Sequence, residues 1–169
     1  MIDELDLRLI QQLQEDGRRS YVKIGKALGV VEGTVRRRVK RLTEGKILKI
    51  AGVPNLNELG YNCINVMALQ VRMADLRAVA DALAQRPAVC HLAFVTGRYD
   101  LIAIIVTRTP QELSRFIQNE ISAIPGILRT ETFVELDVIK GEWLEVDTTQ
   151  LMSNLDVSSI ESNRKRKSG

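Results

Sequence analysis

The side chains best suited to do chemistry lie between residues 34 and 49. Thr34, Arg36, Arg37, Arg38, Lys40, Arg41 and Lys49 supply one hydroxyl and six cations, five of them within residues 36–41. Guanidinium and ammonium groups bond phosphate oxygens, and the arginine fork also matches the guanine edge in the DNA major groove. At about 100° per residue, Val31, Val35, Val39 and Leu42 share one apolar stripe, as in a helix packed on a core. Gly33, Arg37, Lys40 and Arg41 fall opposite, with Thr34 and Arg36 at the margins. Arg38 falls nearer the apolar side, where it would lean along the protein. A solvated basic helix face is the plain alternative for such a run, and the residues before it decide between the two.

Those residues are Ser20-Tyr21-Val22-Lys23-Ile24-Gly25-Lys26-Ala27-Leu28-Gly29-Val30. Ser20 is a good helix N-cap, and Ile24, Ala27 and Leu28 give an apolar face. Gly25 lets a neighbouring helix approach closely, while Gly29 can take positive φ and end the helix. Two short helices joined by a tight glycine turn, the second one basic, form the helix-turn-helix pattern, whose second helix enters the major groove. Upstream, Asp3 caps a first helix with Leu5, Leu9, Ile10 and Leu13 on one face, ended by Asp16-Gly17. Downstream, residues 47–54 read as a short extended stretch that would form the wing of a winged helix, with Lys46 and Lys49 placed to touch phosphate.

Charge divides the chain of 169 residues. Residues 1–54 carry twelve Lys/Arg against seven Asp/Glu, whereas residues 63–150 carry eight against eleven. A basic front and a mildly acidic back suggest a nucleic-acid module joined to one with another task. Cys63 and Cys90 sit in apolar runs and read as reduced core thiols rather than a disulfide framework. No apolar run reaches the ~18 residues of a membrane span, and the acidic N-terminus is unlike a signal peptide, so a soluble cytoplasmic protein is expected.

After an Asn-rich linker at residues 55–62 the pattern changes. Residues 64–71 read as a strand, Leu76, Val79, Ala80 and Leu83 as a helix with Asp75 as its cap, and residues 89–96 and 101–107 as two more strands. Between those strands Gly97-Arg98-Tyr99-Asp100 has the composition of a hairpin turn. Thr109-Pro110-Gln111-Glu112 is a capping box with proline at the first helical position. Leu113, Phe116, Ile117, Ile121 and Ile124 then form a buried stripe. Residues 127–139 read as the last strand, Val134, Leu136 and Val138 alternating with Glu135 and Asp137. The order βαββαβ is the ferredoxin-like split unit. The expected fold is therefore α+β: a winged helix-turn-helix domain at residues 1–54 and a βαββαβ domain at residues 63–148. Residues 149–169, ending Asn163-Arg164-Lys165-Arg166-Lys167, read as a disordered basic tail.

Leu5-Asp6-Leu7-Arg8-Leu9-Ile10, Leu28-Gly29-Val30, the segment from Thr34 to Leu42, and Gly97-Arg98-Tyr99-Asp100, in this order and spacing, resemble the Lrp/AsnC family of feast/famine transcriptional regulators. The resemblance covers about residues 2–148. It implies a DNA-binding domain followed by a domain for amino-acid sensing and oligomerisation, with dimers formed through the C-terminal sheets and often assembled into octamers. It also implies a small-molecule effector, usually an amino acid, in clefts between dimers, and no cofactor. Carried over, Gly97, Arg98, Tyr99 and Asp100 become effector-site candidates. Gly97 permits close backbone approach, Tyr99 offers an aromatic wall with a hydroxyl, and Asp100 could hold an α-ammonium. Thr130 and Thr132, on the polar side of the last strand, are weaker candidates for the same cleft.

The sequence departs from the family pattern where the basic helix begins. Val30-Val31-Glu32-Gly33 lacks a capping side chain, which costs roughly 1 kcal/mol, and Gly33 offers no side chain to a base. Haem-pathway decarboxylases share the architecture, but the single histidine, His91, alternates with apolar residues and reads as a core or interface residue. A metal cluster, a phosphate-cradling glycine loop and a nucleophile–base pair are all missing from the sequence pattern. A ligand-sensing module with a vestigial helix-turn-helix is the other alternative. The expected mechanism is a regulator whose Arg37, Lys40 and Arg41, with Thr34 and Arg36, contact double-stranded DNA.

Overall fold

The computed structural model describes residues 2–140 and 148–153. The chain forms two compact units, Met1–Gly52 and Val53–Gly169. The first holds three helices: α1 (Glu4–Glu15), α2 (Tyr21–Leu28) and α3 (Glu32–Glu44). Asp3 caps α1 in a reciprocal box with Asp6, and Ser20 caps α2 by accepting the Lys23 N–H. Leu9, Leu13, Ile24, Val35, Val39 and Leu42 form the core between the helices. Those positions repeat every three or four residues within α1 and α3, and the partly buried Tyr21 and Leu28 extend the same spacing around Ile24 in α2, so each helix has one face to bury.

The turn between α2 and α3 depends on two glycines. Gly29 takes the left-handed conformation (φ 71°) that ends α2. A Cβ at Gly25 would lie 2.6 Å from the Val30 carbonyl oxygen, so only glycine lets the returning chain pass so close. Val31 stands at the N-cap of α3 with no side-chain bond to the helix start, as its residue type implies.

The expected wing hairpin is not formed: residues 48–55 contain no strand. Lys46 turns the chain with φ 54°. The N–H groups of Ile47 and Leu48 then bond back to the Leu42 carbonyl at 2.8 and 3.1 Å. The backbone that would have paired as a ribbon is thus drawn against the end of α3, and Leu48 packs on the helical core.

The second unit is built on β1 (Cys63–Val71), α4 (Leu76–Ala84), β2 (Val89–Phe94), β3 (Leu101–Thr107), α5 (Pro110–Phe116) and β4 (Ile127–Val134). The sheet is antiparallel in the order β2-β3-β1-β4, the ferredoxin-like arrangement. Met67, Leu69 and Val71 of β1 and Leu101, Ala103 and Ile105 of β3 face the helices, packing on Val79, Leu83, Leu113 and Phe116. A π-helical turn, Ile117–Ile121, extends α5 and keeps Ile121 buried. The Asp75 position does begin α4, but its side chain makes no capping bond and pairs with Arg72 instead.

Three boundaries differ from the sequence reading. The last strand ends at Val134 rather than at residue 139, and Val134, Leu136 and Val138 are 46–96% exposed, so their alternation reports no buried face. Residues 55–62, expected to be a linker, bury Leu56 and Tyr61 against Cys90 and Val106 on the sheet face away from α4 and α5. Residues 149–153, expected to be tail, form a short helix, α6 (Thr149–Ser153), that buries Leu151 in the same cluster. An apolar sheet face needs cover, and these short segments supply part of it. The run of cations at residues 164–167 lies outside the described residues.

Candidate nucleic-acid interface and effector loop

Burial of Val35, Val39 and Leu42 fixes the roll of α3 and so decides where its cations go. Arg36, Arg37, Lys40 and Arg41 are exposed, whereas Thr34 and Arg38 are half-buried. Arg36 bonds Glu32 at 2.5 Å and lies over the Tyr21 ring at 5.6 Å. Lys40 is 3.7 Å from Glu44, both side chains being well exposed. Among the described residues Arg37 has no ion-pair partner, and it projects directly away from the core. Lys49 is exposed in the segment after α3.

Arg38 and Arg41 stand apart from the others. Arg38 Nη1 reaches Asp3 at 2.6 Å and Asp6 Oδ1 at 2.8 Å, and Arg41 Nη2 donates to Asp6 Oδ2. The Asp6 carboxylate is fully buried and also accepts the Asp3 N–H at 3.1 Å. The hydrogen bond from Arg38 holds the Asp3 carboxyl down at about 2. For Asp6, burial pushes the pKa up, but the bonds from Arg38, the Asp3 backbone and Arg41 outweigh it and the net direction is down. The Arg38 guanidinium is raised in turn, chiefly by its bond to Asp3. Capping chemistry alone accounts for acidic residues at a helix start, so the sequence concealed this second use of Asp3 and Asp6. Their signal was spacing: an i, i+3 acid pair on one helix and an i, i+3 arginine pair on another.

In the second unit, Gly97, Arg98, Tyr99 and Asp100 do form the turn joining β2 to β3, with Gly97 at φ 117°. Arg98 lies over the Tyr99 ring at 5.7 Å, and the Tyr99 hydroxyl donates to Glu131. Asp100 is used structurally, its Oδ2 accepting the Val71 N–H at 2.8 Å. Thr130 and Thr132 do not join this group. They pair with Leu69 and Met67, which face the helices, whereas Glu131 pairs with Ala68 on the other face. Because side chains alternate across a strand, Glu131 is the β4 residue that meets Tyr99. His91, read from the sequence as a core or interface residue, is exposed on β2, which removes the core reading.

A helix-turn-helix with an exposed cationic second helix, joined to a separate βαββαβ unit, defines a two-domain DNA-binding regulator. The family models agree: an AsnC-type helix-turn-helix domain matches residues 2–43, and an Lrp/AsnC ligand binding domain matches residues 63–142. The chain is 40% identical over 147 residues to an uncharacterised HTH-type transcriptional regulator of Pyrococcus furiosus, covering 86% of this chain and 99% of that one. It is 33% identical over 152 residues to the HTH-type transcriptional regulator FL11 of the same organism, covering 89% and 96%. Among solved structures, E. coli AsnC superimposes with a TM-score of 0.78 at 25% identity, covering 83% of this chain and 95% of that one. A Neisseria meningitidis regulator crystallised with L-Met gives a TM-score of 0.77 at 22% identity, covering 83% and 93%. The chain belongs to the Lrp/AsnC family of DNA-binding transcriptional regulators, and the relatives are regulators, not enzymes. Among the described residues no helix is long and apolar enough to cross a membrane.

Proposed function

We propose that α3 carries sequence-specific operator recognition and that a small effector, an amino acid, modulates assembly and DNA binding through the second unit. The observation that carries the first half is the division of α3 into a buried apolar seam and an exposed cationic face centred on Arg37. Arg36, Arg37 and Lys40, with Thr34 beside them and Lys49 behind, can meet phosphates and guanine edges together. The second half is supported by the ligand-binding family model over residues 63–142, which includes the turn at Gly97, Arg98, Tyr99 and Asp100. The L-Met complex of the N. meningitidis protein, alike in fold, illustrates the chemistry such a site takes. An amino acid brings an ammonium, for which Asp100 Oδ1 and Glu131 are acceptors, and a carboxylate, for which Arg98 is a donor.

Assembly into homodimers and higher oligomers, an octamer among them, fits the exposed apolar side chains in and after β4. Leu128, Phe133, Leu136 and Ile139 are 52–96% exposed, apolar surface that a partner subunit would cover. Light scattering with each of the twenty amino acids, with and without DNA from the gene's own upstream region, tests the proposal. One amino acid that shifts both particle mass and DNA affinity is the expected result. A constant assembly whose DNA binding ignores all twenty removes the effector half. A particle that does not bind DNA removes the first half.

A further inference from the structure

The five cations of α3 differ in how firmly the protein holds them. Arg36 and Lys40 pair with Glu32 and Glu44 on their own helix, and the side chains in both pairs are 42–73% exposed. Such solvent-exposed i, i+4 pairs are weak and exchange readily for a phosphate. Arg37 has no ion pair to exchange among the described residues. Arg38 and Arg41 are held by a carboxylate with no exposure at all, which cannot follow them outward or turn to water. Pulling Arg41 towards DNA would leave the buried Asp6 Oδ2 with the Asp3 N–H alone and its carboxylate with Arg38 as its one charged partner, and removing a charged partner from a buried carboxylate is costly. Asp3 adds a second carboxylate on the same flank, bonded to Arg38 through both oxygens. Two acids and two arginines make that flank neutral overall, while the flank bearing Arg36, Arg37 and Lys40 keeps labile or unpaired charge.

We infer that Asp3 and Asp6, reaching over from α1, select which cations of α3 meet DNA: they withhold Arg38 and Arg41 from the phosphates and confine contact to Arg36, Arg37 and Lys40. The inference rests on α3 being the DNA-facing helix. Asp6 acts as a positioning residue, and its effect is on discrimination. Every phosphate contact strengthens binding to any sequence, so an arginine withheld from phosphate lowers non-specific affinity without lowering base readout.

The test is the salt dependence of binding by the full-length protein to two fluorescent duplexes, one of random sequence and one from the upstream region. Each phosphate contact contributes about 0.9 to the slope of log K against log salt. Arg37→Gln is expected to make the slope shallower by about that amount, and Arg41→Gln to leave it unchanged. Asp6→Asn is expected to steepen it by about the same step and to tighten random-sequence binding more than site binding. Adding Arg41→Gln to Asp6→Asn should cancel that gain, a non-additivity that general loosening of the helix would not produce. A loss of slope in Arg41→Gln equal to that in Arg37→Gln overturns the inference while α3 stays the DNA-facing helix. That comparison stands even if Asp6→Asn fails to fold. Salt-insensitive binding by the unaltered protein overturns the placement of α3 itself, and the inference with it.

Discussion

Asp100 Oδ2 accepts the backbone N–H of Val71 at 2.8 Å, so a side chain of the β2–β3 turn continues the hydrogen bonding of β1 beyond its pairing with β3. The backbone ladder between those strands runs to Leu69 and Leu101, and the Asp100 N–H adds a bond to the Leu69 carbonyl at 2.9 Å. The turn with Gly97, Arg98 and Tyr99 is thereby clamped to the sheet at its C-terminal end. Asp100→Ala leaves the Val71 N–H without this partner and should cost about 1–2 kcal/mol in urea unfolding of the second unit. Asp100→Asn keeps an acceptor oxygen and should lose clearly less. Equal losses in the two variants would mean that the carboxylate charge, not the backbone bond, is what the turn needs.

Gly25→Ala should destabilise the first unit. The added methyl would sit 2.6 Å from the Val30 carbonyl oxygen, a rigid backbone atom, so the turn into α3 must open. Overpacking of this kind costs about 1–3 kcal/mol. The far-ultraviolet circular dichroism melt of the variant should show its first transition at lower temperature, with weaker DNA binding. An unchanged melt would show that α2 and α3 tolerate a wider turn.

Where local chemistry alone decides an element, the sequence was a sufficient guide. The caps at Asp3, Ser20 and Thr109, the left-handed Gly29 and the apolar stripes of β3 and of α3 from Val35 to Leu42 all follow from residue type and spacing, whereas Val31, expected on the same stripe, stands exposed at the N-cap. The failures share a different cause. The burial of Leu56 and Tyr61 and the helix carrying Leu151 depend on what distant surface was left uncovered, and the missing wing in part on Leu48 packing against the helical core, which no short window records. The same holds at the candidate sites. The exposed face of α3 was legible from its 3.6-residue period, but the capture of Arg38 and Arg41 by Asp3 and Asp6 joins residues more than thirty positions apart. Tyr99 and Glu131 are likewise brought together only by the register of β4 on β1.

Val31→Ser should stabilise α3. Val31 occupies the N-cap with extended backbone (φ −74°, ψ 153°), is 73% exposed, and gives the helix no side-chain bond. Serine can adopt the same backbone and offer its hydroxyl oxygen to an N–H of the first turn. Little apolar burial is lost in exchange. A gain of about 1 kcal/mol is expected in denaturant unfolding of the first unit. No gain, or a loss, would show that Val31 contributes packing that its exposure conceals.

Acid should unfold the first unit over a window set by the two carboxylates that hold Arg38 and Arg41. Asp3 is lowered from 3.8 to about 2 by its bond from Arg38, and Asp6 is also lowered once the arginine and backbone bonds overcome its burial. A lowered folded-state pKa means that the unfolded chain takes up protons first as pH falls. The stabilisation from these groups is therefore fully present above about pH 4 and drains away as pH falls towards 2. Asp3→Asn removes one of the two titrations. The variant should be less stable than the unaltered protein at pH 7, and the gap between them should narrow steadily below pH 4. Circular dichroism melts at pH 7, 5, 4, 3 and 2 would follow that convergence. Parallel loss in both proteins, with the gap unchanged at pH 2, would show that the gap does not come from the ionised Asp3 carboxylate and that other carboxylates govern the acid transition.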